Sequence, residues 1–177
     1  MFQPAIPLSG IGGWKFLQAT YSRQLESFTD SPQVRNDRDY MLDKLSQTMS
    51  VDDFMADRRL LRVTMTAFGL GGEEWKGGFI RKALEEVGDP ESTFLPRLNN
   101  PKYTKFAEAL SPIDGKIITS SSQRAKMAVN FEAESFRTAV GDVDDSMRLA
   151  LNYQSEIAEI AGKESSDKAI LYRILGD

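Results

Sequence analysis

Apolar residues recur along most of this chain at intervals of three and four, the spacing that puts them on one face of a helix. Between residues 14 and 28 the set Trp14, Leu17, Tyr21, Leu25 and Phe28 draws an amphipathic helix. Ser31-Pro32 restarts the pattern, with serine at an N-cap and proline at the first helical position. The helix that follows carries Val34, Tyr40, Met41 and Leu45 among many charges and reads as a more exposed layer. Asp89-Pro90 and Asn100-Pro101 give two further starts of the same kind, the second leading to Tyr103, Phe106, Ala107 and Leu110 on one face.

Residues 57–87 form the centre of the pattern: a helix, a glycine-rich turn and a second helix. Leu60, Leu61, Val63, Met65, Phe68, Phe79, Ile80 and Leu84 are the expected core anchors. At 100° per residue, Arg58, Arg59, Arg62 and Thr66 share the side opposite the apolar arc. Asp57 would fall inside that arc if the helix began at Val51. Two readings remove the conflict: Asp57 caps a helix that starts at Arg58, or Ser50 and Asp53 form a capping box and Asp57 is buried against an arginine. The first is favoured, because an unpaired buried carboxylate is costly. Gly69 followed by Leu70 suits a left-handed cap with an apolar contact behind it.

Residues 111–122 read as a loop; Ile117-Ile118-Thr119 tempts a strand, but a lone strand has no sheet to join. Over residues 123–161 a heptad register runs without a break. Lys126, Ala133, Val140, Met147, Gln154 and Ala161 fall at a, and Val129, Phe136, Val143, Ala150 and Ile157 at d. The expectation is one long helix, bent at Gly141 if anywhere, serving as the longest member of a bundle rather than an intermolecular coiled coil. Phe131 and Tyr153, outside the seam, favour the bundle. Residues 162–167 are a polar break, and AILYRIL at 169–175 is an apolar close suited to docking on the core. The fold class is thus all-α: a multihelical bundle with a central helix-turn-helix unit and one long C-terminal helix. Residues 1–13, rich in proline and glycine, are expected as a flexible lead-in, and residues 14–177 as a single helical domain.

Composition narrows the chemistry more than the fold. Among 177 residues there is no cysteine and no histidine. That removes disulfides, thiol nucleophiles, thiolate zinc sites and imidazole bases together. Twenty-two basic against 26 acidic residues give a net charge of −4 and no reason to expect nucleic acid as a partner. No apolar run is long enough to span a membrane, and MFQPAIPLSG lacks the basic start and apolar stretch of a cleaved signal peptide, so none is expected. Ser9-Gly10-Ile11-Gly12-Gly13 lacks the third glycine of a dinucleotide fingerprint and the lysine of a phosphate loop. Asp142, Asp144 and Asp145 lack calcium-loop spacing. Glu73 and Glu74 beside Trp75 suit a helix N-terminus without any acid–base role. No catalytic residue, metal or cofactor is expected, and the protein is read as not an enzyme. Two surfaces remain as candidate partner contacts: the stripe Arg58, Arg59 and Arg62, and the seam Val129, Phe136, Val140, Val143 and Met147.

Several segments together resemble an uncharacterised alphaproteobacterial family found in flagellar gene clusters. They are residues 6–14 (IPLSGIGGW), 56–61 with 67–70, 79–86, 106–109, 139–141 and 148–152. The glycines at 71, 72, 77 and 78 depart from the more acidic turn of that family. The resemblance implies a multihelical protein with a flagellar component as its protein partner, and a location in the cytoplasm or at the flagellum. It implies a structural or assembly factor acting through helix surfaces, or alternatively a cytoplasmic adaptor or export chaperone for a flagellar subunit. It brings no catalytic residues.

Overall fold

The protein is described here from a computed structural model, in which residues 3–162 are placed. The apolar close at 169–175 and the polar break after Gly162 lie outside the described residues.

Among the described residues the fold is all-α, with nine helices and one two-residue ladder. Helix α1 spans Gly10–Thr29 and α2 spans Pro32–Leu45; β1 is Met49–Ser50, followed by α3 (Val51–Ala56) and α4 (Arg58–Thr66). Next come α5 (Gly77–Glu86), α6 (Phe94–Leu98), α7 (Pro101–Leu110), β2 (Lys116–Ile117), α8 (Ser121–Val143) and α9 (Asp145–Gly162). Where one domain was expected from residue 14, the contacts divide into two compact units. One holds residues 25–135, the other residues 3–24 together with the chain from Phe136 onward.

In the first unit, the Asp57 cap and the Ser50 cap occur together, because the chain makes two short helices instead of one. The arginine partner of the second reading is absent among the described residues, and Asp57, half-buried, pairs with Tyr40 and Lys44. Ser50 Oγ accepts from Asp53 N–H at 3.0 Å and caps α3, while Asp57 Oδ1 accepts from Leu60 N–H at 3.0 Å and caps α4. Helix α4 ends as expected. Gly69 takes a φ of +67°, its N–H donates to Thr66 O and Leu70 N–H donates to Met65 O, the bond pair of a Schellman cap. Leu70 is buried behind it. The core gathers Phe54, Leu60, Val63, Met65, Ile80, Leu84, Phe106 and Leu110, with the Phe106 ring 6.3 Å from Phe54 and 5.7 Å edge-on from Phe68.

Three expectations are corrected in this unit. Asp89-Pro90 opens a turn, with Asp89 Oδ1 accepting from Glu91 N–H, and the short helix starts four residues later at Phe94. The strand at Lys116–Ile117 does have a partner, Met49–Ser50, antiparallel, with Met49 opposite Ile117. Thr119 Oγ1 donates to Leu45 O at 2.6 Å just beyond it, so the loop is held to the end of α2. Phe79 is not a core anchor: half of its surface is exposed.

In the second unit, the segment expected as a lead-in is partly helical, since α1 begins at Gly10. Pro4 is buried, and the Gln24 side chain exchanges hydrogen bonds with both backbone groups of Ala5. Tyr21 meets Phe136 edge-on at 5.4 Å. The single long helix over 123–161 is also corrected. It breaks at Asp144, and Arg137 donates to Ser155 Oγ at 2.9 Å, a pairing that no straight helix permits.

Candidate functional site

The arginine stripe is built into the structure. Asp37 on α2, buried, accepts from Arg59 through Oδ1 and from Arg62 through Oδ2, each at 2.8 Å. Arg59 also donates to Asn36 O and lies over the Tyr40 ring at 4.3 Å. Tyr40 in turn donates to Asp57 Oδ2 at 2.6 Å. These contacts lock α4 against α2. Arg58 alone of the three is exposed without an ion-pair partner among the described residues.

The seam divides too. Phe136, Val140 and Met147 are buried in their unit, whereas Val129 (64% exposed) and Val143 (42% exposed) face solvent. A period of 3.5 imposed on a bent helix assigned core and surface positions to one stripe. Phe131, outside that stripe, is buried.

The residues that stand out are instead in the connection from α4 to α5 and on the edge of α5. Trp75 is 79% exposed, with Lys76 Nζ 5.4 Å from its ring. The turn beneath it is fixed: Glu73 Oε2 accepts from Lys76 Nζ at 2.7 Å and from the Tyr103 hydroxyl at 2.8 Å. The Lys76 bond, opposed by burial and helped by Tyr103, holds the Glu73 carboxyl below its ordinary range; burial, then Glu73, pushes the Tyr103 phenol up. Glu74 Oε1 accepts from Gly72 N–H. Both glutamates therefore hold the turn that presents Trp75.

Four residues on, Phe79 (50% exposed) meets Phe94 of α6 at 5.8 Å, and Lys82 Nζ lies 5.2 Å from the Phe94 ring. Phe79, Lys82, Glu86, Phe94, Arg97 and Leu98 line an open groove. Lys82 pairs with Glu86 at 3.4 Å, and Glu86 accepts from Ser92, while Arg97 has no ion-pair partner among the described residues. The lining mixes two phenylalanines and a leucine with charged and polar side chains, an arrangement suited to an apolar side chain of a partner. The available signal was Trp75 set between the glycine pairs 71–72 and 77–78, a large aromatic where the chain makes no helix to bury it.

No group of acidic, histidine or cysteine residues placed to hold a metal ion occurs among the described residues, and no described helix is long and apolar enough to cross a membrane. In the acidic set, Asp144 caps α9 through Ser146 N–H and Asp145 pairs with Arg148.

By fold this is a multihelical all-α protein. Over residues 67–177, more than half its length, the chain matches the family described as "Protein of unknown function (DUF1217)", and it belongs to that family. Its structure is similar to the crystal structure of protein AGR_C_984 from Agrobacterium tumefaciens. The two superpose with a TM-score of 0.71 at 23% identity, covering 88% of this chain and 70% of the other. At that identity the likeness establishes a shared fold. No curated protein matches the chain.

Proposed function

We propose that this protein is a non-enzymatic structural or assembly factor of the bacterial flagellum, acting through protein–protein contacts. The observation that carries the contact half of this reading is Trp75, a fully presented tryptophan on a turn braced by Glu73, Lys76 and Tyr103. An exposed tryptophan adds nothing to its own fold's core, and tryptophan is the residue most enriched among those that dominate binding energy. The groove lined by Phe79 and Phe94 supplies a second apolar anchor point, its first ring four residues beyond Trp75. The flagellar half rests on the resemblance of segments such as residues 6–14 and 148–152 to the family of the flagellar gene clusters.

The test is deletion of the gene, complemented by the wild type or by Trp75→Ala/Phe79→Ala. Loss of filaments or swimming on deletion, restored by the wild type and not by a stably folded double variant, is the expected result. Normal filaments and swimming after deletion would overturn the flagellar reading. Full rescue by the double variant would overturn the surface.

A further inference from the structure

Helices α8 and α9 are joined by one residue, Asp144. In an uninterrupted helix residues 137 and 155 would stand about 27 Å apart along the axis. Arg137 instead donates to Ser155 Oγ at 2.9 Å, so α9 folds back beside the end of α8. The return passes closest at Gly141, where a Cβ would lie 2.5 Å from Arg148 Cδ.

The bend interrupts the helical ladder for about one turn: Ser146 N–H turns to the Asp144 side chain, and Met147 N–H donates to Asp144 O at 3.1 Å, only three residues back. Asp144 N–H donates to Val140 O at 2.8 Å and Arg148 N–H to Asp144 O at 3.3 Å, both with the i to i−4 spacing of an α-helix. One cap holds the bend: Asp144 Oδ1 accepts from Ser146 N–H at 3.0 Å and from the Ser146 hydroxyl. The apolar register also keeps its phase across the bend, and Phe136, Val140 and Met147 on its two sides are buried.

We propose that Asp144 is the hinge of a domain exchange, in which α9 opens away from its own α8 and packs in the same place on a second copy of this chain. The surface that α9 vacates is complementary to α9, and only another copy carries that helix. Every interaction broken on opening, the Arg137–Ser155 hydrogen bond included, re-forms between the copies. The closed and exchanged forms therefore differ only in the hinge backbone and in their dependence on concentration. Straightening replaces the Asp144 cap by ordinary helical bonds.

The chain has no cysteine, so Arg137→Cys/Ser155→Cys places a single reporting pair. A short bis-maleimide that spans the length of the lost arginine side chain joins the pair within one chain in the closed form and between two chains in the exchanged form. The pair is placed on the native hinge and on a Gly141→Ala/Asp144→Ala hinge, which removes the cap and crowds the return. Both proteins are concentrated, cross-linked, and read by denaturing electrophoresis and light scattering. The expected result is a covalently linked dimer, at least about tenfold more abundant with the altered hinge. Monomers bridged internally at every concentration, or dimers whose bridges are all internal, would overturn the proposal. If circular dichroism shows the altered hinge to be unfolded, the native-hinge protein is partly unfolded by heat, cooled concentrated or dilute, and read the same way. Intermolecular bridges in the concentrated sample alone support exchange, and internal bridges in both overturn it.

Discussion

Asp57 ties the start of α4 to α2 through one carboxylate. Oδ1 caps α4 at Leu60 N–H, Oδ2 takes the Tyr40 hydroxyl from α2, and Lys44 stands 3.8 Å away. Burial pushes its carboxyl up, but the Leu60 N–H, the Tyr40 hydroxyl and Lys44 together outweigh it, and the group titrates below its ordinary range. A carboxyl with a depressed folded-state pKa contributes stability that is complete above the unfolded value, near 3.9, and is lost as the pH falls through the folded value. Asp57→Asn keeps a capping oxygen but not the charge. Urea titrations at a series of acidic pH values are expected to show a shallower loss of stability for this variant than for the wild type. Asp57→Ala removes the cap as well and is expected to cost about 0.5–2 kcal/mol at neutral pH. The sequence placed Asp57 at this cap from the apolar arc alone. It offered the Ser50–Asp53 capping box only as an alternative to the Asp57 cap, not as the start of a separate helix seven residues earlier, because six helical residues carry too few apolar positions to define a face.

Among the elements, those with a proline at the start or a glycine at the end were legible. The Asn100-Pro101 start of α7, the Ser31-Pro32 start of α2 and the Gly69 end of α4 all lie where local chemistry puts them. Gly69→Ala is expected to destabilise by roughly 1 kcal/mol in thermal or chemical denaturation, since alanine at a φ of +67° is strained whatever space surrounds it. What local chemistry does not encode is pairing at a distance. Lys116–Ile117 became a strand because Met49–Ser50 lies against it, and those two residues hold no strand signal of their own. The heptad over 123–161 misled for a related reason. Periodicity reports which residues share a face, and a fold-back at Asp144 leaves that unchanged while bringing Arg137 to Ser155.

For the whole molecule, the apolar residues fall into two populations with opposite expected behaviour. Phe106 is fully buried between Phe54 and Phe68, and Phe106→Ala is expected to cost about 3–5 kcal/mol by opening a cavity. Trp75 carries none of the core, and Trp75→Ala is expected to shift stability by no more than about 0.5 kcal/mol. Equal losses for the two in chemical denaturation would mean that Trp75 is part of the fold, not a surface kept for a partner. The same reasoning retires Phe136, Val140 and Met147 as partner contacts of the closed chain, while Val129 and Val143 stay exposed. Periodicity separated apolar from polar faces well; it could not separate an apolar side chain that fills a core from one held out on a braced turn.

The most direct measurement replaces Trp75 with a benzophenone side chain in motile cells and identifies what it captures on illumination, with the same group at exposed Asp30 as control. The account predicts one discrete adduct from position 75, none from position 30, to a protein of the flagellar basal body. No adduct from position 75, or the same adducts from both positions, would contradict it.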